Sequence, residues 1–154
     1  MDLYVMRHGL AEPGHGKTDF ERQLLPEGEA QVRYVAKHLR ASRSNMPVER
    51  VLASPLLRTQ QTARLVVEQL ACPLQTCVLL EPDAGISELS RFLAQSHNQH
   101  LLLVSHMPLV STLISYLING DRSSYPDLLT AQVVHLQGEV CPAGMRQVQV
   151  LLPE

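Results

Sequence analysis

Three apolar stretches of this sequence run directly into residues that could do chemistry. The first stretch, residues 3–6, ends at Arg7 and His8. A cation and an imidazole lose their hydration in a core and need partners there, so this is an unusual way to leave a buried strand. The same pattern follows the stretch 50–53, which is apolar after Arg50, and the stretch 101–104. The next polar residues there are Ser54, Arg58, Ser105 and His106. The recurrence indicates one polar site built from three parts of the chain.

Two arginines and two histidines are suited to binding a phosphoryl group. A guanidinium group donates paired hydrogen bonds to phosphate oxygens, and helix N-termini add further donors. A neutral imidazole beside them can attack phosphorus and form a phosphohistidine that water later hydrolyses. The cations and the second imidazole would stabilise charge on the phosphoryl oxygens in the transition state. The phosphate-binding loop pattern, with two glycines five residues apart before Lys-Ser or Lys-Thr, does not occur, so a nucleotide held in that way is not expected.

Local sequence signals predict helices between the strands that these residues follow. Pro26 starts a helix, because proline suits the first helical position, and that helix should end near residues 42–45. Ser54 is expected to cap the next helix, with Pro55 at its first position and residues 56–70 continuing it. Further helices are predicted at 87–96 and 109–118, strands at 3–6, 50–53, 76–80 and 101–104, and a hairpin from 130–137 and 145–152.

This order of elements predicts a three-layer α/β/α domain with a mostly parallel sheet and a C-terminal antiparallel hairpin. Near-continuous apolar strands such as residues 101–104 are typical of parallel strands that are covered on both faces. A chain of 154 residues fits a single domain spanning 1–154. Ligands of parallel sheets bind at the carboxyl ends of the strands, where the three polar groups would therefore meet.

Composition and charge argue against several other classes of function. The formal net charge is −2 and no run of Lys or Arg occurs, which argues against binding of nucleic acid or a membrane surface. No apolar stretch approaches the roughly 20 residues of a membrane helix, and no signal peptide is visible. Cys72, Cys77 and Cys141 lack the paired spacing of a metal site. We therefore expect a cytoplasmic protein that uses no metal and no cofactor.

Three motifs resemble the histidine phosphatase superfamily, which includes the cofactor-dependent phosphoglycerate mutases. In chain order they are Arg7-His8-Gly9 after the first strand, the Ser-Pro-x-x-Arg-x-x-x-Thr stretch at 54–62, and Ser105-His106 after an apolar strand. With the order of strands and helices, the resemblance covers almost the whole chain. It implies the phosphoglycerate mutase-like fold.

The resemblance also implies roles for the polar residues. His8 would be the nucleophile, with Arg7 and Arg58 binding the phosphoryl group. His106 would donate a hydrogen bond to the same group. Gly9 leaves room for the backbone to hold one nitrogen of the His8 ring, so that the other nitrogen is free to attack. The further substrate-binding residues are Arg22, Gly9 and Ser105.

Size points to the SixA-type phosphohistidine phosphatases, the smallest members of the superfamily. The loop after Gly9 is short and only one helix separates Leu80 from Leu101, so the insertions that cover the pocket in larger mutases have no place here. An open pocket suits a protein substrate whose phosphorylated imidazole stands on a helix surface. The implied partner is a phosphorylated histidine-containing protein, such as the phosphotransfer domain of a sensor kinase or a related phosphocarrier.

The general acid of the larger enzymes is the second distinguishing feature. Those enzymes carry a Glu after the third strand, where this chain has Pro82 between Glu81 and Asp83. Imidazole leaves readily because imidazolium has a pKa of about 6.5, whereas an alkoxide needs a positioned acid. The sequence thus favours hydrolysis of phosphohistidine on a protein through phospho-His8. The alternatives are a phosphatase of small phosphate esters with Glu81 or Asp83 as the acid, and a non-catalytic phosphohistidine-binding module.

Overall fold

The computed structural model describes residues 1–42 and 47–154. Within these ranges the chain forms six strands, four α-helices and two short 3-10 turns. The strands are Asp2–Arg7 (β1), Arg50–Ala53 (β2), Leu74–Thr76 (β3), His100–Ser105 (β4), Val133–Gly138 (β5) and Met145–Leu151 (β6). The α-helices are Pro26–Ser42 (α1), Leu57–Leu70 (α2), Ile86–Ala94 (α3) and Leu109–Asn119 (α4), and the 3-10 turns are Asp19–Glu21 and Val78–Leu80.

All of these strands form one sheet in the order β3-β2-β4-β1-β5-β6. The strands from β3 to β1 are parallel, and β5 and β6 add an antiparallel hairpin at one edge. This arrangement confirms the predicted fold class. The register puts Arg7 beside Ser105 and Ala53 beside Val104, so β1, β2 and β4 end side by side. The polar residues that follow these strands therefore start from the same edge of the sheet.

Different helices cover the two faces of the sheet. Along β1, Tyr4 and Met6 pack in the core with residues of α1 and α2, whereas Leu3 and Val5 pack in the core with residues of α3 and α4. This alternation follows from the two-residue period of a strand. In β4, residues 101–104 are at most 1% exposed, as expected of a central strand covered on both sides. The carboxyl edge of the sheet is thus a well-packed platform for a site.

The third strand differs from its prediction. The sequence predicts a strand at 76–80, whereas β3 ends at Thr76 and a 3-10 turn follows at Val78–Leu80. β3 lies at the edge of the sheet and pairs only with β2. At an edge, the apolar residues are accommodated by a turn that buries Leu80 and leaves Val78 exposed. The prediction for this strand is therefore wrong in its position.

One helix start also differs from its prediction. α2 begins at Leu57, and no side chain caps its first turn. The prediction that Ser54 caps this helix is therefore wrong. The predicted end of α1 at 42–45 agrees with Ser42, and residues 43–45 lie outside the described part of the chain. None of the helices in the described ranges is both long enough and apolar enough to span a membrane.

Two glycines allow the start of α1 to pack directly on the backbone that follows β1. A Cβ on Gly28 would lie 2.0 Å from the carbonyl oxygen of Leu10, and a Cβ on Gly9 would lie 2.7 Å from the carbonyl oxygen of Gly28. The Leu10 carbonyl also accepts a hydrogen bond from Leu25 N–H at 3.0 Å. This close contact between backbones fixes the turn that carries His8.

We expect Gly28→Ala to lower the free energy of unfolding by about 1–3 kcal/mol, because the added methyl group must displace the Leu10 backbone. Urea denaturation followed by circular dichroism measures the change. Gly14→Ala is the matched control, since the nearest atom to its added Cβ belongs to the Arg22 side chain at 3.5 Å. Equal unfolding midpoints for the two variants would show that the Gly28 contact does not constrain the fold.

Candidate active site

The carboxyl edge of the sheet brings the four principal site residues of the sequence analysis to one place. Arg58 Nε lies 3.2 Å from His8 Nε2, and the rings of His8 and His106 have centroids 5.4 Å apart. These three side chains are buried. Arg7 reaches the same place from the end of β1, Arg58 from the first turn of α2, and His106 from the residue after β4. One pocket thus forms from three distant parts of the chain.

The backbone fixes the His8 ring in one tautomer. Its Nδ1 lies 2.7 Å from the carbonyl oxygen of Gly9, which can only accept a hydrogen bond, so Nδ1 carries the proton. The other nitrogen, Nε2, keeps its lone pair and accepts a hydrogen bond from Arg58 Nε–H. The main chain is held as well, because His8 N–H donates to Ser105 O at 3.1 Å. His8 Nε2 is therefore a fixed, unprotonated nitrogen beside a guanidinium group.

Burial and positive charge keep the His8 ring neutral. Burial is the largest cause of the low His8 pKa of about 4, and the charges of Arg58 and Arg7 lower it further. The hydrogen bond to the Gly9 carbonyl opposes this shift without reversing it. At neutral pH the ring is thus uncharged, which is the form in which a histidine can act as a nucleophile.

Backbone carbonyl groups hold the two arginines that surround His8. Arg58 Nη1 donates to Asp19 O at 2.7 Å. Arg7 Nη1 donates to Leu128 O at 2.7 Å, while its Nε is buried without a hydrogen-bond partner among the described residues. A carbonyl dipole orients a guanidinium group without cancelling its charge. Arg7 therefore keeps its positive charge and an unpaired N–H for an anion in the pocket, whereas Arg58 also pairs with the Asp19 carboxylate.

Asp19 connects Arg58 to a third arginine, Arg22. Its carboxylate oxygens lie 3.3 Å from the Arg58 guanidinium group and 3.1 Å from Arg22 Nη1. Arg22 Nε also donates to Glu12 O at 2.8 Å. Burial raises the pKa of Asp19, but the hydrogen bonds and charges of the two arginines lower it by more, so the net shift is downward. The structure thus brings the predicted residue Arg22 to the pocket through an ionised carboxylate.

Ser54 holds one ring nitrogen of His106, and the other ring nitrogen is left without a partner among the described residues. Ser54 Oγ lies 2.7 Å from His106 Nε2 and accepts a hydrogen bond from Leu56 N–H at 3.3 Å. Burial, followed by the charge of Arg58, lowers the pKa of His106 to about 3, so its ring carries one proton. When the Ser54 hydroxyl donates to Nε2, that proton is on Nδ1, which is buried without a partner among the described residues. His106 Nδ1–H is then an unpaired donor beside His8.

Ser105 and the two candidate acids lie at the margin of this network. Ser105 Oγ donates to Leu80 O at 2.6 Å, so the hydroxyl is engaged within the fold. Glu81 and Asp83 follow that turn, and within residues 1–42 and 47–154 neither side chain forms a hydrogen bond or an ion pair. The same ranges contain no group of three or more His, Cys, Asp or Glu side chains that could hold a metal ion.

Three contributors to the pocket are missing from the sequence predictions. Thr62 Oγ1 accepts a hydrogen bond from Gly9 N–H at 3.1 Å, and this threonine closes the Ser-Pro-x-x-Arg-x-x-x-Thr motif, which therefore contained a signal for it. Asp19 and Leu128 offer main-chain oxygens to the arginines. Every residue has such an oxygen, so no sequence pattern marks these two positions.

Comparisons with known proteins agree on one group of relatives. The family model for the histidine phosphatase superfamily (branch 1) matches residues 3–92. The phosphohistidine phosphatase SixA of Escherichia coli (strain K12) is 32% identical over 139 residues, which cover 87% of this chain and 83% of that protein. A structure of the protein histidine phosphatase SixA complexed with tungstate matches with a TM-score of 0.88 at 26% identity, over 99% of this chain and 97% of that one. A mycobacterial glucosyl-3-phosphoglycerate phosphatase matches with a TM-score of 0.75 at 15% identity, over 99% of both chains, which shows the fold alone.

We expect the His8 ring to titrate near pH 4 instead of the ordinary histidine value of about 6.5. Because only the neutral ring can attack, the rate at which a phosphodonor labels His8 should stay constant as the pH falls from about 7 to about 5, and decline only near pH 4. Nuclear magnetic resonance of ring-labelled histidines measures the titration, with His8→Gln assigning the signal. A midpoint near 6.5 would contradict the neutral, desolvated ring.

We expect Ser54→Ala to lower kcat for phosphate release about tenfold with little change in KM, because the proton of His106 is then no longer confined to Nδ1. The ¹⁵N shifts of the His106 ring report the tautomer directly and should change from one form to a mixture. Ser90→Ala removes another buried serine hydroxyl, on α3, and is the control. A lower kcat with an unchanged tautomer would mean that Ser54 acts through packing alone.

Proposed function

The chain belongs to the histidine phosphatase superfamily and is of its SixA type, and from this premise we propose that it hydrolyses phosphohistidine on a protein through a phospho-His8 intermediate. Membership makes the chain a phosphatase, and the proposal concerns its residues and its substrate. The observation that carries the proposal is the His8 ring. Its Nδ1 donates to Gly9 O, and its unprotonated Nε2 lies 3.2 Å from Arg58 Nε.

In the first step, Arg58 Nε–H exchanges its hydrogen bond to His8 Nε2 for one to a phosphoryl oxygen, and the freed lone pair of Nε2 attacks the phosphorus of the substrate. The substrate imidazole takes a proton from solvent on its other ring nitrogen, the bond from phosphorus to the ring breaks with its electron pair staying on the departing nitrogen, and the ring leaves as neutral imidazole. The His8 ring becomes a phosphorylated cation, and the Gly9 carbonyl stabilises its Nδ1–H. The donors to the phosphoryl oxygens in the transition state are Arg7, Arg58 and His106 Nδ1–H.

In the second step, a water molecule attacks the phosphorus of phospho-His8. The bond from phosphorus to Nε2 breaks, and its electron pair returns to Nε2 as a lone pair. The attacking water loses one proton to solvent, and inorganic phosphate leaves the pocket. The neutral His8 ring is restored with its proton still on Nδ1, so the same tautomer serves every turnover.

The leaving group supports phosphohistidine over a phosphate ester. Neutral imidazole can depart without a positioned acid, whereas an alkoxide gains about a hundred- to ten-thousandfold from one. Asp19, the carboxylate beside Arg58, is ionised and held by two arginines, so it is a poor acid. The partner would be a phosphorylated histidine-containing protein, such as the phosphotransfer domain of a sensor kinase or a related phosphocarrier. SixA of Escherichia coli is named a phosphohistidine phosphatase, in agreement with this choice.

A phosphatase of small phosphate esters is the second candidate function, and one contact favours it. Leu80 O accepts the hydroxyl of Ser105, the residue before His106, and Glu81 comes directly after Leu80. In such an enzyme the carboxyl group of Glu81, or that of Asp83 two residues further on, would be the acid. In that case the acid would protonate the alkoxide as it leaves.

We expect the protein to release phosphate from a histidine phosphotransfer domain phosphorylated on its histidine, and His8→Ala to slow this by at least about a thousandfold, because the nucleophile is lost. Phosphate release and loss of radioactive label from the domain measure the reaction. His38→Ala, which removes an exposed histidine from α1, is the control. Glu81→Gln and Asp83→Asn should leave this rate unchanged. Much faster cleavage of sugar phosphates by the unaltered protein, lost in either of these two variants, would establish the ester phosphatase instead.

A further inference from the structure

Two exposed apolar side chains lie next to the groups that hold the pocket arginines. Phe20 is 52% exposed and follows Asp19, which binds Arg58. Leu129 is 57% exposed and follows the carbonyl group that binds Arg7. We term Phe20 and Leu129 the apolar rim. Single exposed apolar residues are common on protein surfaces, but each of these two directly follows a residue whose main-chain oxygen binds a pocket arginine.

The segment that carries Leu129 is fixed to the end of β1. Ala131 N–H donates to the carbonyl oxygens of Arg7 and His8, at 3.1 and 3.0 Å. Leu129 N–H donates to Gln132 Oε1 at 2.8 Å. Leu129 is therefore tied to the backbone that carries His8, as a docking surface for a reactive group requires.

A phosphohistidine on a protein brings its own backbone close to this rim. His8 is only 7% exposed, so the phosphorus must enter the pocket to reach Nε2. A single imidazole ring separates that phosphorus from the Cβ of the partner residue. On a partner helix, the residues three and four positions from the phosphohistidine share its face, so their side chains meet the surface that surrounds the pocket.

We propose that the apolar rim is the docking surface for the partner helix that carries the phosphohistidine. This inference rests on the proposed function and adds a specificity surface to it. The helix presents apolar side chains three or four positions from its phosphohistidine, and these cover Phe20 and Leu129. Burial of the apolar area on both sides favours the complex and directs the phosphoryl group towards His8.

Charge beside the rim argues against a second copy of this chain as the occupant. Glu21 follows Phe20, Asp127 precedes Leu129 by two residues, and both carboxylates are exposed, whereas the nearby cation Arg22 is paired with Asp19 at 3.1 Å. Two copies that met through their rims would bring like charges together. A partner helix with Lys or Arg beside its apolar positions is complementary to the same surface.

The test compares two substrates that share a leaving group. One is a histidine phosphotransfer domain phosphorylated on its histidine, and the other is N-phosphoimidazole, which has no surface to dock. We expect Phe20→Ser and Leu129→Ser each to lower kcat/KM for the domain about five- to tenfold, and to change the value for N-phosphoimidazole by less than about twofold. Val148→Ser removes a 45% exposed valine from the edge strand β6 and should leave both values unchanged.

Equal losses for both substrates would overturn the proposal, since the two residues would then act on the arginines of the pocket. An unchanged kcat/KM for the domain in both variants would overturn docking and leave the proposed function intact. If the unaltered protein cleaved esters and not the phosphorylated domain, the proposed function would fail and docking with it. A dimer in sedimentation experiments that Phe20→Ser dissociates would show that a second copy occupies the rim.

Discussion

The pocket depends on one hydrogen bond, from His8 Nδ1–H to the carbonyl oxygen of Gly9. This bond places the only proton of the neutral ring away from the arginines and leaves the lone pair of Nε2 beside Arg58. It requires the backbone to turn tightly after β1, and the two glycines that let α1 approach that turn make this possible. Together, the end of β1, the start of α1 and the two glycines thus hold the His8 ring with the lone pair of its Nε2 directed at Arg58.

The electrostatic field of the pocket has two effects at once. Burial and the positive charge of the arginines lower the pKa of both histidines, which keeps them neutral. The same positive charge is suited to a phosphoryl group and, in the proposed reaction, stabilises its transition state. This is possible because carbonyl oxygens orient Arg7 and Arg58, with Asp19 the one carboxylate paired to either within the described residues. Carboxylate partners in place of the carbonyls would have neutralised the field.

Such a pocket carries a cost in stability. Arg7 Nε and His106 Nδ1 are buried without partners among the described residues, and an unpaired buried polar group costs about 1–3 kcal/mol. The well-packed sheet offsets this cost, since residues 101–104 of β4 and the core residues of β1 are almost fully buried. Unpaired donors that are held in place in this way need no reorganisation when an anion arrives, which favours catalysis over stability.

The sequence by itself determined the fold class and the convergence of Arg7, His8, Arg58 and His106. Apolar periodicity identifies strands and helices, and the carboxyl ends of parallel strands lie at one edge. The sequence prediction was wrong for the third strand, where position at the sheet edge outweighs local propensity. It was also wrong for Ser54, whose hydroxyl contacts the imidazole of His106 after the neighbouring strand instead of capping a helix. Only the tertiary structure decided the tautomer of His8, the hydroxyl that holds His106 and the groups that hold the arginines. The physical reason is that main-chain carbonyls and hydroxyl directions depend on distant residues meeting in space, and no local pattern of residue types records them.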